Sequence, residues 1–202
     1  MNWAQSINNA LRTLPAWLLY PIGFLPAAWL WYLGLTGGLG AEPIREMELQ
    51  LGRLALKLIV LGLAITPLRR FTGVNLLRYR RAIGLLAFYY VLMHLSVWLI
   101  LDIGDPARIW ADIVKRPYVT IGMAGLLTLL PLALTSTDRA VRWLGPVRWR
   151  LLHRLVYVAA LLGVLHFAWL VKGLPLRPMV YALIIAALLL LRLWPKRRRA
   201  LA

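Results

Sequence analysis

The run Leu151-Leu-His-Arg-Leu-Val-Tyr-Val-Ala-Ala-Leu-Leu-Gly-Val-Leu-His166-Phe-Ala-Trp-Leu-Val171 decides how this chain is read. It is apolar and long enough to cross a bilayer, for which about 20 residues of helix suffice. It also holds two of the three histidines, His153 near one end and His166 deep inside. The third, His94, lies in a second apolar run, residues 82–101. An imidazole in hydrocarbon is costly unless it has a partner, so a ligand role is the first reading to test.

Outward from that run, six apolar stretches can be laid down as spanning helices: residues 15–34, 49–67, 82–101, 118–134, 151–171 and 176–194. Composition agrees. Of the 202 residues 61% are hydrophobic and 15% charged, whereas soluble domains run at about 45–50% apolar. Short connections favour antiparallel neighbours, so the expectation is an all-α integral membrane protein, a single six-helix bundle over residues 1–202. The net charge of +17 does not point to nucleic acid, because the basic residues flank apolar runs and form no continuous basic face. The absence of cysteine excludes disulfides, zinc–thiolate sites and iron–sulfur clusters within the chain. Any redox role therefore needs a bound cofactor. Residues 1–12 are polar, and no small-residue cleavage site follows, so the first apolar run is expected to be a retained span.

Orientation follows from the basic residues. Sixteen of the 24 fall on the side of the N-terminus, the second and fourth connections and the tail; eight fall on the other side, with six of the seven acids. The positive-inside rule then puts both termini in the cytoplasm. The connection at residues 139–150 reads as a basic loop anchored by Trp143 and Trp149, and residues 109–118 as a short interfacial helix or docking surface. Lys196-Arg-Arg-Arg199 reads as a topology signal. Arg53 and Lys57, at i and i+4 on the second span, either snorkel to the outer interface or meet an anionic group inside the bundle.

Depth can be estimated from helix rise. His94 lies about 18 Å and His166 about 22 Å from the cytoplasmic edge, at about 1.5 Å per residue. The two imidazoles can therefore face each other at one level. Paired histidines on different helices, in apolar surroundings and without acidic ligands, suit a bis-histidine haem better than a metal ion that takes carboxylates. His153 lies about 20 Å lower and some 140° around an ideal helix from His166, so either helix five is locally distorted or the cofactors lie on different sides of it. The positions level with His153 on helix three are Arg80 and Arg81. A lower haem would be five-coordinate or carry an unusual sixth ligand, unless a flavin held by arginines replaces it.

Several ordered segments resemble a known family. They are Leu35-Thr-Gly-Gly-Leu-Gly-Ala-Glu-Pro-Ile44, Ala64-Ile-Thr-Pro-Leu-Arg-Arg70, Arg80-Arg-Ala-Ile-Gly-Leu-Leu-Ala-Phe-Tyr-Tyr90 with His94, Lys115-Arg-Pro-Tyr118, Pro131-Leu-Ala-Leu-Thr-Ser-Thr137 and Leu151-Leu-His-Arg-Leu-Val-Tyr157. Together they are similar to the MsrQ (YedZ) family, within the ferric reductase-like transmembrane group. The resemblance implies a b-type haem subunit of the bacterial inner membrane that passes electrons to MsrP, a periplasmic molybdopterin enzyme repairing oxidised methionines. It implies haem b, one or two, and FMN, with electrons from the quinone pool or a cytosolic flavin reductase. His94, His153 and His166 match the family's three histidines. NADPH oxidase relatives carry two histidines on each of two helices and a C-terminal flavin and nicotinamide domain. Here Arg80 and Arg81 stand where a fourth histidine is sought, and the sequence ends eight residues after Trp194, so reductant is expected from outside.

The resulting expectation is an electron conduit. Electrons enter near Arg78, Arg80, Arg81 and His153, pass to a haem held by His94 and His166, with Arg53 or Lys57 on a propionate, and leave to a partner on the loops at residues 37–48 and 105–118. A histidine-relay proton channel or transporter is the rival from another class, and a passive membrane anchor is the third reading.

Overall fold

The computed structural model describes residues 3–170 and 176–193, and these are almost entirely helical. An amphipathic helix unmarked in the sequence comes first, α1 (Trp3–Thr13). A short 3₁₀ turn then leads into α2 (Leu19–Leu35). Polar groups fix α1 to the segment before the fourth helix. Asn8 donates to the Gly73 carbonyl at 3.0 Å and accepts from the Asn75 amide at 2.8 Å. Arg78 donates to the carbonyls of Leu11 and Arg12, and the Tyr79 hydroxyl to those of Leu11 and Leu14. The last carbonyls of a helix have no partner within it, so these contacts cap α1. Arg78 is thereby committed to the fold.

Helix α3 (Pro43–Thr72) outruns the expected 49–67 at both ends. Proline at its start suits the first turn, so the acidic approach at residues 45–48 belongs to the same helix. Pro67 was expected to end it and does not. A proline inside a helix deprives the carbonyl four residues earlier of its donor. Here that carbonyl is Leu63, and Arg192 donates to it at 2.8 Å. The helix stops at Gly73, whose φ of 79° only glycine adopts readily.

Helix α4 (Arg80–Ser96) widens just beyond His94 into a π-helical stretch, Val97–Ile103, which ends at Gly104. The segment alternating apolar and charged residues forms α5 (Pro106–Lys115), capped by the Asp105 side chain on the Ala107 amide at 2.9 Å. Helix α6 is Pro117–Leu134. The stretch expected as a basic loop is instead α7 (Asp138–Leu152), started by Thr137 capping the Ala140 amide and kinked at Gly145. Pro146 follows the kinked Gly145, and proline is well tolerated where a helix restarts, so the kink is local. Helix α8 (Leu155–Leu170) follows after a break at His153–Arg154, bent 43° from α7. Helix α9 (Leu176–Leu193) packs against α8 and α3. Val171 and Trp194, which end two expected spans, lie outside the described residues, as does the basic tail.

Among the described residues four helical stretches are long and apolar enough to cross a membrane, and a fifth if the bent α7–α8 pair counts as one. No polar or charged side chain among the described residues is fully buried. The central core joins Leu56, Ile59 and Leu63 of α3 to Ala87 of α4, Leu129 of α6, Ala159 and Ala160 of α8 and Ile185 of α9. The two most closely packed pairs are α3 with α4 and α6 with α8. Their meeting faces enclose the site.

Candidate functional site

His94 of α4 and His166 of α8 come together, with ring centroids 6.1 Å apart and planes at 80°. Each ring is held from behind. His94 Nδ1 lies 2.9 Å from the Glu48 carbonyl and His166 Nδ1 2.7 Å from the Tyr118 carbonyl. A carbonyl can only accept, so both Nδ1 atoms carry the proton and both Nε2 atoms keep a free lone pair. Those Nε2 atoms make no hydrogen bond in the described structure and lie on the side of the rings away from the carbonyls.

Both rings line a cavity of about 960 Å³ between the two helix pairs, at the upper end of the range for cofactor pockets, about 300–1,000 Å³. Its walls are mostly apolar, with Leu56, Val91, Leu126, Leu162 and Phe167 among them, and Arg45, Arg53 and Arg116 also line it. A haem fits this arrangement. With about 2 Å between imidazole nitrogen and metal, and ~1 Å from nitrogen to ring centre, two axial imidazoles have centroids about 6 Å apart. The three arginines outnumber the acids Glu48 and Asp102 in the lining, which suits the carboxylates of such a group.

The structure sorts the other sequence-picked residues. Arg53 lines the cavity and is largely enclosed, paired with Glu46 at 2.8 Å. Lys57, one turn on, is exposed and does not line the cavity. Arg81 pairs with Asp138 at 2.5 Å, and that contact holds the Asp138 carboxyl below the usual carboxylate range. Arg116 donates to the Tyr118 hydroxyl, which keeps its guanidinium above its ordinary value.

His153 is placed apart from the pair, at the α7–α8 break. The helix is broken there, the first of the two alternatives that the angular offset leaves open. Its ring stacks on Trp149 at 3.8 Å, and its Nε2 lies 3.1 Å from the Thr135 hydroxyl. Trp149 in turn donates to the Thr135 carbonyl at 2.8 Å. Arg80 and Arg81 lie close enough to act on His153 electrostatically.

Sequence reasoning missed four parts of the site. Two are the carbonyls of Glu48 and Tyr118; the others are Gly52 and Gly122, which face the imidazoles. Each glycine stands four residues after its carbonyl. A glycine inside an apolar helix costs about 1 kcal/mol against alanine, and that cost was the available signal.

Residues 51–164 match the ferric reductase like transmembrane component family. Two relatives are the protein-methionine-sulfoxide reductase heme-binding subunits MsrQ of Brucella ovis and Brucella anthropi. Each is 53% identical over 178 residues, covering 88% of this chain and 80% of the relative. The chain belongs to the MsrQ family of ferric reductase-like membrane proteins. No solved structure matches it. In this family the matched region runs from α3 into α8 and so takes in His94 and His153, while His166 falls two residues beyond.

Proposed function

We propose that this chain is a b-type haem subunit of the bacterial inner membrane that carries electrons outward to a periplasmic molybdopterin enzyme, MsrP, which reduces methionine sulfoxide in proteins. The observation that carries this reading is the opposed pair His94 and His166, each anchored through Nδ1 and each presenting a free Nε2 to one cavity. The names of the Brucella relatives support it. In this reading α2, α3, α4, α6, α8 and α9 are six spans, and both termini are cytoplasmic, in keeping with the distribution of basic residues.

His94 and His166 would hold the haem iron, and the haem supplies one-electron chemistry that no side chain here can. The protein's part is to fix the imidazole tautomers, to exclude water with the apolar wall and to balance charge. Arg53 is the propionate partner in this reading, with Arg45 and Arg116 sharing the role. FMN and a lower cofactor at His153, with Arg80 beside it, belong to the same proposal, as do the quinone pool or a cytosolic flavin reductase as donor. Arg78 and Arg81 are already engaged in the fold. For a lower haem to use His153, the imidazole must leave the Thr135 hydroxyl.

A pyridine haemochrome assay with flavin extraction on the purified protein tests this. The expected result is haem b in wild type, none in His94→Ala or His166→Ala, and extractable FMN. A colourless wild-type protein would overturn the haem reading and favour the histidine relay.

A further inference from the structure

The two histidines are held by the same device, repeated. In each half of the site a helix carbonyl receives Nδ1–H, and a glycine follows four residues later: Glu48 and Gly52 on α3 for His94, Tyr118 and Gly122 on α6 for His166. The spacing has a geometric reason. In a helix, residues i and i+4 share a face, and a side chain leans over the turn before it. Any side chain at 52 or 122 would therefore lie over the carbonyl at 48 or 118 and stand where the imidazole rests.

The clearances are unequal. A Cβ at position 122 would lie 2.9 Å from His166 Nδ1 and 3.0 Å from its Cε1, closer than real contacts allow. At position 52 the distance to His94 Nδ1 would be 3.3 Å, which a small ring movement relieves. Neither ring can retreat freely, since each is bonded to the carbonyl it leans on. By contrast Gly62, on α3 and outside the cavity lining, would bring its Cβ no closer than 3.8 Å to Ile83.

We infer that Gly122 and Gly52 are positioning residues, which set how closely His166 and His94 approach their backbone carbonyls and so how strongly each imidazole donates to the iron. This rests on the haem reading above. A strong Nδ1–H bond makes the opposite nitrogen a better donor, which favours the ferric state and lowers the potential. Gly122→Ala pushes His166 off Tyr118 and should raise the potential; Gly52→Ala should raise it less.

The test is a redox titration and ferric electron paramagnetic resonance on purified wild type, Gly122→Ala, Gly52→Ala and Gly62→Ala. The expected order of upward shift is Gly122→Ala, then Gly52→Ala, with Gly62→Ala at the wild-type value and its low-spin signal unchanged. Haem loss in an inserted Gly122→Ala beside a haem-replete Gly62→Ala also supports the inference. An unshifted Gly122→Ala, or a Gly62→Ala moved as far, overturns it while leaving the haem reading intact. Should Gly122→Ala not accumulate, the comparison of Gly52→Ala with Gly62→Ala decides by the same criterion. A wild type without a Soret band overturns both.

Discussion

Three histidines sit in apolar sequence, yet the structure uses them in two opposite ways. His94 and His166 give Nδ1 to backbone carbonyls and turn bare Nε2 atoms toward a common cavity. His153 has its Nε2 on a threonine hydroxyl and its face on an indole. The difference shows that the hydrophobicity around a histidine says little about its role. What differs is which nitrogen is already engaged. In the haem reading, a histidine tied through Nδ1 is the ligand, and one tied through Nε2 is a strut until that bond is released.

The largest test of this contrast is alanine replacement. His94→Ala and His166→Ala should each abolish the Soret band of the haem between them, whereas His153→Ala should retain it, read by absorbance of the purified variants. A His153→Ala that lost all haem would erase the distinction. In the intact protein the 80° between the ring planes should give a strongly anisotropic low-spin ferric resonance with its main feature at low field. A pattern typical of parallel imidazoles would count against the ring orientations.

A smaller effect separates Arg53 from Lys57. Arg53→Met should lower both haem content and the midpoint potential, because loss of a cation from a cavity-lining position leaves negative charge that favours the ferric state. Lys57→Met should leave both unchanged, since that side chain is exposed and does not line the cavity. If neither variant differed from wild type, Arg53 would have no part in charge balance. Smaller again is Thr135→Val, which leaves His153 Nε2 without its partner. It should cost about 1 kcal/mol, seen as a lower melting temperature, with the outer haem spectrum untouched. The least effect is expected at the exposed Arg81–Asp138 bridge. The depressed Asp138 pKa means its contribution is present at neutral pH and is lost as acid protonates the carboxylate. Asp138→Asn should remove that acid-side slope from a melting curve and change little else.

The apolar runs made most of the bundle legible, because hydrocarbon demands long uninterrupted helices whatever the neighbouring contacts. Helix rise alone placed His94 and His166 at one level and His153 at another. Ends were harder to read. Pro67 looked like a stop because sequence does not show that Arg192, far along the chain, supplies the missing donor. The α7 segment looked like a loop because its arginines, interleaved with Trp143 and Trp149, mask a helix that is merely kinked. The backbone carbonyls of Glu48 and Tyr118 leave no trace in residue identity at all. Only the glycines four residues later mark where they are.

The repeated carbonyl–glycine device has a consequence for assembly. Each half of the site is complete within one pair of antiparallel helices: α3 with α4, and α6 with α8. Hairpins of this kind can insert and fold separately before they associate in the lipid. Each pair then reaches its neighbour with its imidazole already aimed and its tautomer already chosen. In the haem reading proposed above, the iron would close a clasp between two finished halves, with no remodelling of either.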